Sequence, residues 1–148
     1  MTFPRLVAAV IALAAAACDS DPNDLSGSVS EFYPLSFETV RARLYDSELA
    51  IEYVRGDGET VARVTVRRAE RDPTGAGAIS LADHGDVTGS ANGVELPPFY
   101  DGRLTLSSYR PRDGSPIAGS FEARVQSGAS RLSIRGTFGA SLELVEGL

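Results

Sequence analysis

The chain has 148 residues, a formal net charge of −6 and a single cysteine. Its 14 basic residues, all arginine, are outnumbered by 20 acidic ones, which excludes broad electrostatic attraction to nucleic acid or to an anionic lipid surface. One cysteine excludes an internal disulfide, and the length suits one domain with its own core.

The N-terminal segment has the pattern of an export signal. Arg5 supplies one positive charge, and residues 6–17 (LVAAVIALAAAA) form an uninterrupted apolar run. The run is too short to cross a membrane, which takes about 20 apolar residues, and it ends in small residues directly before Cys18. The pattern predicts a signal peptide over residues 1–17.

The position of the cysteine makes this start resemble a bacterial lipoprotein signal, in which that cysteine is acylated and becomes the mature N-terminus. The family most often has leucine three positions before the cysteine, where this chain has Ala15. The resemblance implies acyl chains such as palmitate on Cys18 and anchorage in the inner or the outer membrane of the cell envelope. The alternative is an ordinary secretory signal cut after Ala17, which leaves Cys18 as a free thiol.

Residues 18–30 (CDSDPNDLSGSVS) are acidic and contain Pro, Gly and several Ser. This composition predicts a flexible tether between the lipid anchor and a domain over residues 31–148. Without residues 1–17 the chain keeps 13 arginines against 20 acidic residues, a net charge of −7.

Alternating apolar residues predict strands in the first half of the domain. Residues 40–44 alternate with charges, although a helix that uses Phe37, Val40 and Leu44 is a rival interpretation. Residues 49–54 and 61–67 also alternate, and the turn at residues 55–58 (RGDG) between them predicts a hairpin.

The middle of the chain is rich in turn-forming residues. Residues 72–78 predict a loop, short strands are expected near Ile79 and Val87, and residues 83–93 are mostly turn-forming. Two prolines exclude residues 94–100 as a central strand, and Leu104 marks a strand that runs to about Tyr109.

The C-terminal part contains one pattern twice. Residues 117–125 and 134–142 both read I-x-G-[ST]-F-x-A-x-[VL], with the apolar positions on one face of a strand. Phe121 and Phe138 are expected to be buried, while Gly119 and Gly136 relieve crowding or allow a bulge. The pattern predicts a hairpin with its turn at residues 126–130. It resembles the closing strands of uncharacterised small β-rich lipoproteins of GC-rich Gram-negative bacteria, a resemblance that implies no activity.

The predicted fold is all-β, a single antiparallel sandwich or small barrel of about seven or eight strands. His84, between Asp83 and Gly85, is the only histidine, and no other His or Cys is available to complete a transition-metal site with it and the neighbouring Asp carboxylates. A serine triad would have to use His84, and no serine lies in a G-x-S-x-G motif. P-loop and dinucleotide motifs are absent from the sequence. We therefore expect no catalytic residues, no metal and no cofactor.

Two surfaces are candidates for binding. The first is an arginine stripe, which would form an anion site if its strands adjoin, or a solvated face paired with residues such as Glu52 and Glu59. The second is a set of aromatic residues near a Pro-rich loop, which either bind a partner or close one end of the core. The candidate residues are Arg41, Arg43, Arg63 and Arg67 in the first set, and Phe99, Tyr100 and Tyr109 in the second.

The sequence thus predicts a membrane-anchored envelope lipoprotein with a non-enzymatic binding or scaffolding domain. Its expected partners are the membrane, through Cys18, and another envelope protein or a polysaccharide. The alternatives are a barrel that binds a small apolar ligand and, in third place, a hydrolase.

Overall fold

The computed structural model describes residues 22–68 and 77–147. The predicted signal peptide and Cys18 lie outside this part of the chain. Within it there are a 3₁₀ turn at Ser28–Glu31, one short helix, α1 (Leu81–His84), and eleven strands. The strands are β1 (Asp24–Ser26), β2 (Thr39–Leu44), β3 (Glu48–Val54), β4 (Thr60–Arg67), β5 (Gly77–Ser80), β6 (Gly85–Thr88), β7 (Ser90–Ala91), β8 (Val94–Glu95), β9 (Phe99–Ser108), β10 (Pro116–Ser127) and β11 (Ser130–Leu144).

The main sheet curls into a nearly closed barrel with the strand order β5-β9-β10-β11-β2-β3-β4-β6. The all-β prediction is confirmed, and of the two predicted architectures the sheet adopts the barrel. The sheet is antiparallel except where β11 runs parallel to β2, from Leu142 to Leu144. β11 is long enough to pair with β10 on one edge, and with both β1 and β2 on the other.

The alternating patterns predicted the inward face of β2, β3 and β4 correctly. Apolar side chains at every second position are buried in the barrel, among them Ala42, Ile51 and Val64. Large side chains also fill the interior: Tyr33 and Tyr53 have no exposed surface, and Phe138 is almost fully buried. The core therefore consists of the protein's own side chains.

The C-terminal hairpin is present as predicted, with its turn at residues 128–129 between β10 and β11. Its register pairs Phe121 with Gly136, and Phe138 with Gly119. Each phenylalanine of the repeated pattern thus lies opposite a glycine of the other copy. Both phenylalanines are buried, and a Cβ atom at Gly136 would lie 2.7 Å from Cε1 of Phe121. The two glycines relieve crowding, as predicted.

The flexible tether predicted over residues 18–30 is wrong from Asn23 onward, since Asn23 already accepts a hydrogen bond from the Gly139 N–H; residues 18–21 lie outside the described part of the chain. β1 pairs with β11 from Asp24 to Ser26, and Leu25 and Val29 are buried in the core. The acidic, Ser-rich composition of the segment does not predict a strand. Backbone pairing with β11, more than a hundred residues away in the chain, makes it one. The folded domain therefore begins before residue 31.

Residues 83–93 contain more structure than the expected turns. They include the end of α1, β6 and β7, and the turn to β8 uses Asn92 (φ 53°) and Gly93 (φ 76°), a pair typical of tight hairpins. The Glu59 carboxylate accepts hydrogen bonds from the Asn92 N–H (3.0 Å) and the Ser90 hydroxyl (2.9 Å). These bonds lower the pKa of Glu59.

Candidate binding surfaces

The predicted arginine stripe lies on the outer face of β2, β3 and β4. The register places Arg41 opposite Glu52, and Glu52 opposite Arg63, so a carboxylate on the middle strand separates two arginines. Glu52 is only 7% exposed, whereas the three arginine side chains around it, which include Arg43, remain partly exposed. The aliphatic stems of arginine can cover such a face while the charged ends reach water.

The charges of this cluster balance. The Glu52 carboxylate lies 3.6 Å from Arg41 Nε, 3.8 Å from Arg43 Nε and 3.3 Å from Arg63 Nε. Glu48 accepts a 2.6 Å hydrogen bond from Arg63, and Glu143 lies 3.4 Å from Arg43. Three arginines thus face three carboxylates, and we name these six residues the Glu52 cluster.

The surroundings of the cluster favour the charged forms of Arg43 and Arg63. The hydrogen bond with Tyr45 raises the pKa of Arg43, and the charges of Glu52 and Glu143 add to the effect. Burial opposes the charge of Arg63, but the hydrogen bond and charge of Glu48, together with Glu52, outweigh it and raise that pKa. Because each cation already has a carboxylate neighbour, the cluster resembles the solvated, paired face more than an open anion site.

Two residues named in the sequence analysis lie apart from the Glu52 cluster. Arg67 is exposed at the end of β4 and donates a hydrogen bond to the carbonyl oxygen of Asp83 in α1. Glu59, suggested as a partner of the stripe, instead binds the β7–β8 hairpin. The stripe therefore holds three of the four predicted arginines.

The predicted aromatic residues do not form one patch. Phe99 and Tyr100 begin β9, whereas Tyr109 follows its last residue, and ten strand residues separate the two ends by about 30 Å. Phe99 and Tyr109 pack partly against the core, and only Tyr100 is largely exposed, at 43%. Phe99 and Tyr109 thus pack against opposite ends of the core.

A second polar face, on β9, β10 and β11, was missed by the sequence analysis. The register again places a glutamate between two arginines, Arg103 opposite Glu122 and Glu122 opposite Arg135. All three are exposed, and among residues 22–68 and 77–147 no ion pair within 4.0 Å joins Glu122 to either arginine. Glu122 and Arg135 lie in the two predicted strands of the C-terminal hairpin, and Arg103 directly precedes the strand that Leu104 marks, but only the register shows that the three adjoin.

This face contains a cleft of about 330 Å³. A smaller cleft of about 160 Å³ adjoins it and shares Arg103 and Glu122. Arg135 donates a 3.3 Å hydrogen bond to the Ser26 hydroxyl at the wall of the larger cleft. We name the two together the outer cleft. Its lining includes Phe121, Gly102 and Gly136, and the other lining residues carry hydroxyl or charged side chains: Asp24, Ser26, Asp101, Arg103, Thr105, Ser120, Glu122, Arg124, Arg135 and Thr137.

Tyr33 provides a test of the packing that supports these surfaces. Its hydroxyl donates a 2.7 Å hydrogen bond to the Val61 carbonyl oxygen, and burial raises the pKa of Tyr33 from 10.0 to about 12. A raised pKa means that folding favours the neutral phenol, so this stabilisation is complete below pH 10 and is lost as the pH rises through 12.

We expect Tyr33→Phe to lower the free energy of unfolding by about 1 kcal/mol at pH 7 through loss of that hydrogen bond. Between pH 10 and pH 12 the variant should lose stability less steeply than the wild type. Urea unfolding at a series of pH values measures both. Parallel profiles for the two proteins in that range would show that folding does not raise the pKa of the Tyr33 phenol.

No family model, curated protein or solved structure matches this chain. In the described ranges no group of three or more His, Cys, Asp or Glu side chains is placed to hold a metal ion. No helix of residues 22–68 and 77–147 is long and apolar enough to span a membrane.

Proposed function

We propose that the protein is an envelope lipoprotein, anchored by acyl chains on Cys18, whose barrel binds or scaffolds another envelope component without catalysing a reaction. The observation that carries the anchor is the order of Arg5, an apolar run and the four alanines of residues 14–17 directly before the only cysteine. The resemblance to small β-rich lipoproteins supports the same assignment.

The shape of the domain supports a partner that binds outside the barrel. Tyr33, Tyr53 and Phe138 occupy the interior, so the packing does not favour the alternative of an internal apolar ligand. The outer cleft instead exposes arginine, carboxylate and hydroxyl groups that suit a polar partner such as a polysaccharide or a protein surface. Among the described residues Arg103 and Glu122 have no ion pair within 4.0 Å, in contrast to the Glu52 cluster.

Replacement of Cys18 tests the anchor. We expect the wild-type protein to fractionate with membranes and to have an intact mass that begins at Cys18 and includes acyl chains. Cys18→Ser removes the acylated thiol, so the variant should be released from the membrane fraction or keep its signal peptide. Ser20→Ala is the matched control and should retain the acylated mass. A soluble wild-type protein without lipid would contradict the proposal.

Cross-linking tests the outer cleft. A photoreactive residue at Thr105, inside the cleft, is compared in the native host with one at Thr39, on the opposite half of the barrel. We expect an adduct from position 105 that disappears with Arg103→Ala, while position 39 gives none. Equal adducts from both positions, unaffected by Arg103→Ala, would contradict a role for the cleft.

A further inference from the structure

The chain enters the barrel at one defined end. Asn23 accepts a 2.8 Å hydrogen bond from the Gly139 N–H, and Asp24 pairs with Thr137. Pro22 lies beside Gly139: a Cβ atom built on Gly139 would lie 3.2 Å from Cγ of the proline ring. The first described residues are therefore attached to the middle of β11, and the chain before Asn23 points toward the C-terminal end of that strand.

The distance between this attachment and Cys18 is short. Four residue steps separate Cys18 from Pro22, and a fully extended chain of that length spans at most about 14 Å. A tether over all of residues 18–30 would have allowed the domain to move far from its anchor. Because β1 belongs to the barrel, acylation of Cys18 would hold this end close to the bilayer.

The β9–β10 loop, residues 109–115, lies at the same end. Ala118 of β10 pairs with both Ser108 and Gly139, so the loop leaves and rejoins the sheet at the level where the chain enters. Hydrogen bonds attach the loop to β11: the Gly114 N–H donates to the Leu142 carbonyl, and the Leu142 N–H donates to Ser115, both at 2.8 Å. The loop is thus part of the surface nearest the anchor.

Two exposed cations extend from this loop. Arg110 and Arg112 are exposed, and neither has a carboxylate within 4.0 Å in the part of the chain that the structure describes. The Asp113 carboxylate accepts a 3.0 Å hydrogen bond from the Leu144 N–H, and Asp46 and Glu146 are exposed at the same end. The acidic groups make this end a weak binder of anionic lipid on its own, so any contact must depend on the anchor.

We propose that the barrel rests against its own membrane with residues 109–115 facing the lipid headgroups, where Arg110 and Arg112 contact lipid phosphates. The inference rests on the proposed function, because it needs the acylated Cys18. The turn at residues 128–129 then faces away from the bilayer, since the twelve residues of β10 separate it from the loop.

Fluorescence quenching tests this orientation on the mature acylated protein in vesicles of phosphatidylethanolamine and phosphatidylglycerol. Acylation occupies the Cys18 thiol, so a fluorophore can be attached at Pro111→Cys or, as the matched control, at Ala129→Cys; both positions are exposed. With spin-labelled headgroups in the vesicles, we expect quenching at position 111 to be several-fold stronger than at position 129. Equal quenching at the two positions overturns the orientation.

Charge reversal tests the phosphate contact. Arg110→Glu combined with Arg112→Glu should reduce quenching at position 111 while the protein still floats with the vesicles through its acyl chains. Unchanged quenching in this variant overturns the role of the two arginines. Intact mass and flotation, measured first, separate the two proposals: protein without acyl chains overturns the proposed function, whereas acylated, vesicle-bound protein with equal quenching overturns the orientation alone.

Discussion

Gly136→Ala is expected to lower the free energy of unfolding by about 3 kcal/mol, because the new methyl group has no space. Its Cβ would lie 2.6 Å from the Tyr53 hydroxyl, 2.7 Å from Cε1 of Phe121 and 2.8 Å from the Asp24 carbonyl oxygen. The Tyr53 hydroxyl cannot move freely, since it donates a 2.8 Å hydrogen bond to the Thr137 carbonyl. The added methyl group can therefore be accommodated only if β1 or the buried Phe121 ring moves.

Gly139→Ala is the matched control on the same strand, because among the described residues its Cβ would meet the Pro22 ring alone, at 3.2 and 3.5 Å. We expect Gly139→Ala to lower the free energy of unfolding by less than about 1 kcal/mol. Phe121→Leu combined with Gly136→Ala should recover part of the stability that Gly136→Ala loses. Urea unfolding followed by circular dichroism measures all four proteins. Equal stability of the two glycine variants would contradict the close packing of β11 against Tyr53 and Phe121.

Glu52→Gln is expected to lower the free energy of unfolding by about 2 kcal/mol at low ionic strength. The substitution keeps the shape of the side chain but removes the charge that Arg41, Arg43 and Arg63 share. The three cations then repel one another across neighbouring strands. The expected loss of stability is smaller than for breaking a fully buried ion pair, because the arginine side chains can turn toward water.

The control for this substitution is Glu122→Gln. Glu122 has the same position between two arginines, but it is exposed and lies more than 4.0 Å from Arg103 and Arg135. We expect that control to change stability by less than about 0.5 kcal/mol. Added salt should reduce the cost of Glu52→Gln because it screens the remaining arginines. A cost equal to that of Glu122→Gln, or one independent of salt, would count against the Glu52 cluster.

The two arginine–glutamate rows explain why the candidate site was only partly predictable. Alternation along β2 and β4 was sufficient to place Arg41 and Arg63 on an outward face, and Glu52 was named as a partner. The second row was missed because Arg103, Glu122 and Arg135 come from three strands whose relative register no local pattern reveals. A shift of one residue in any strand would send its side chain to the other face.

The prediction of a flexible tether in the N-terminal part of the domain was wrong for a related reason. β1 has three residues, one of them buried, in a segment rich in Asp and Ser, so its composition predicts disorder. Its stability comes from hydrogen bonds to Arg135, Gly136 and Thr137, which are distant in sequence. Because the barrel includes β1, few residues separate Cys18 from the folded domain, and one end of the barrel lies near Cys18.

The sequence by itself determined the all-β class, the inward faces of β2, β3 and β4, and the hairpin in which Phe121 and Phe138 are buried. These features depend on the two-residue period of a strand, which acts between near neighbours. Only the tertiary structure decided that the sheet forms a barrel, that Glu52 is enclosed while Glu122 is open, and that the domain begins with β1. Those outcomes depend on which strands pair and in which register, and pairing between distant segments leaves no local pattern in the chain.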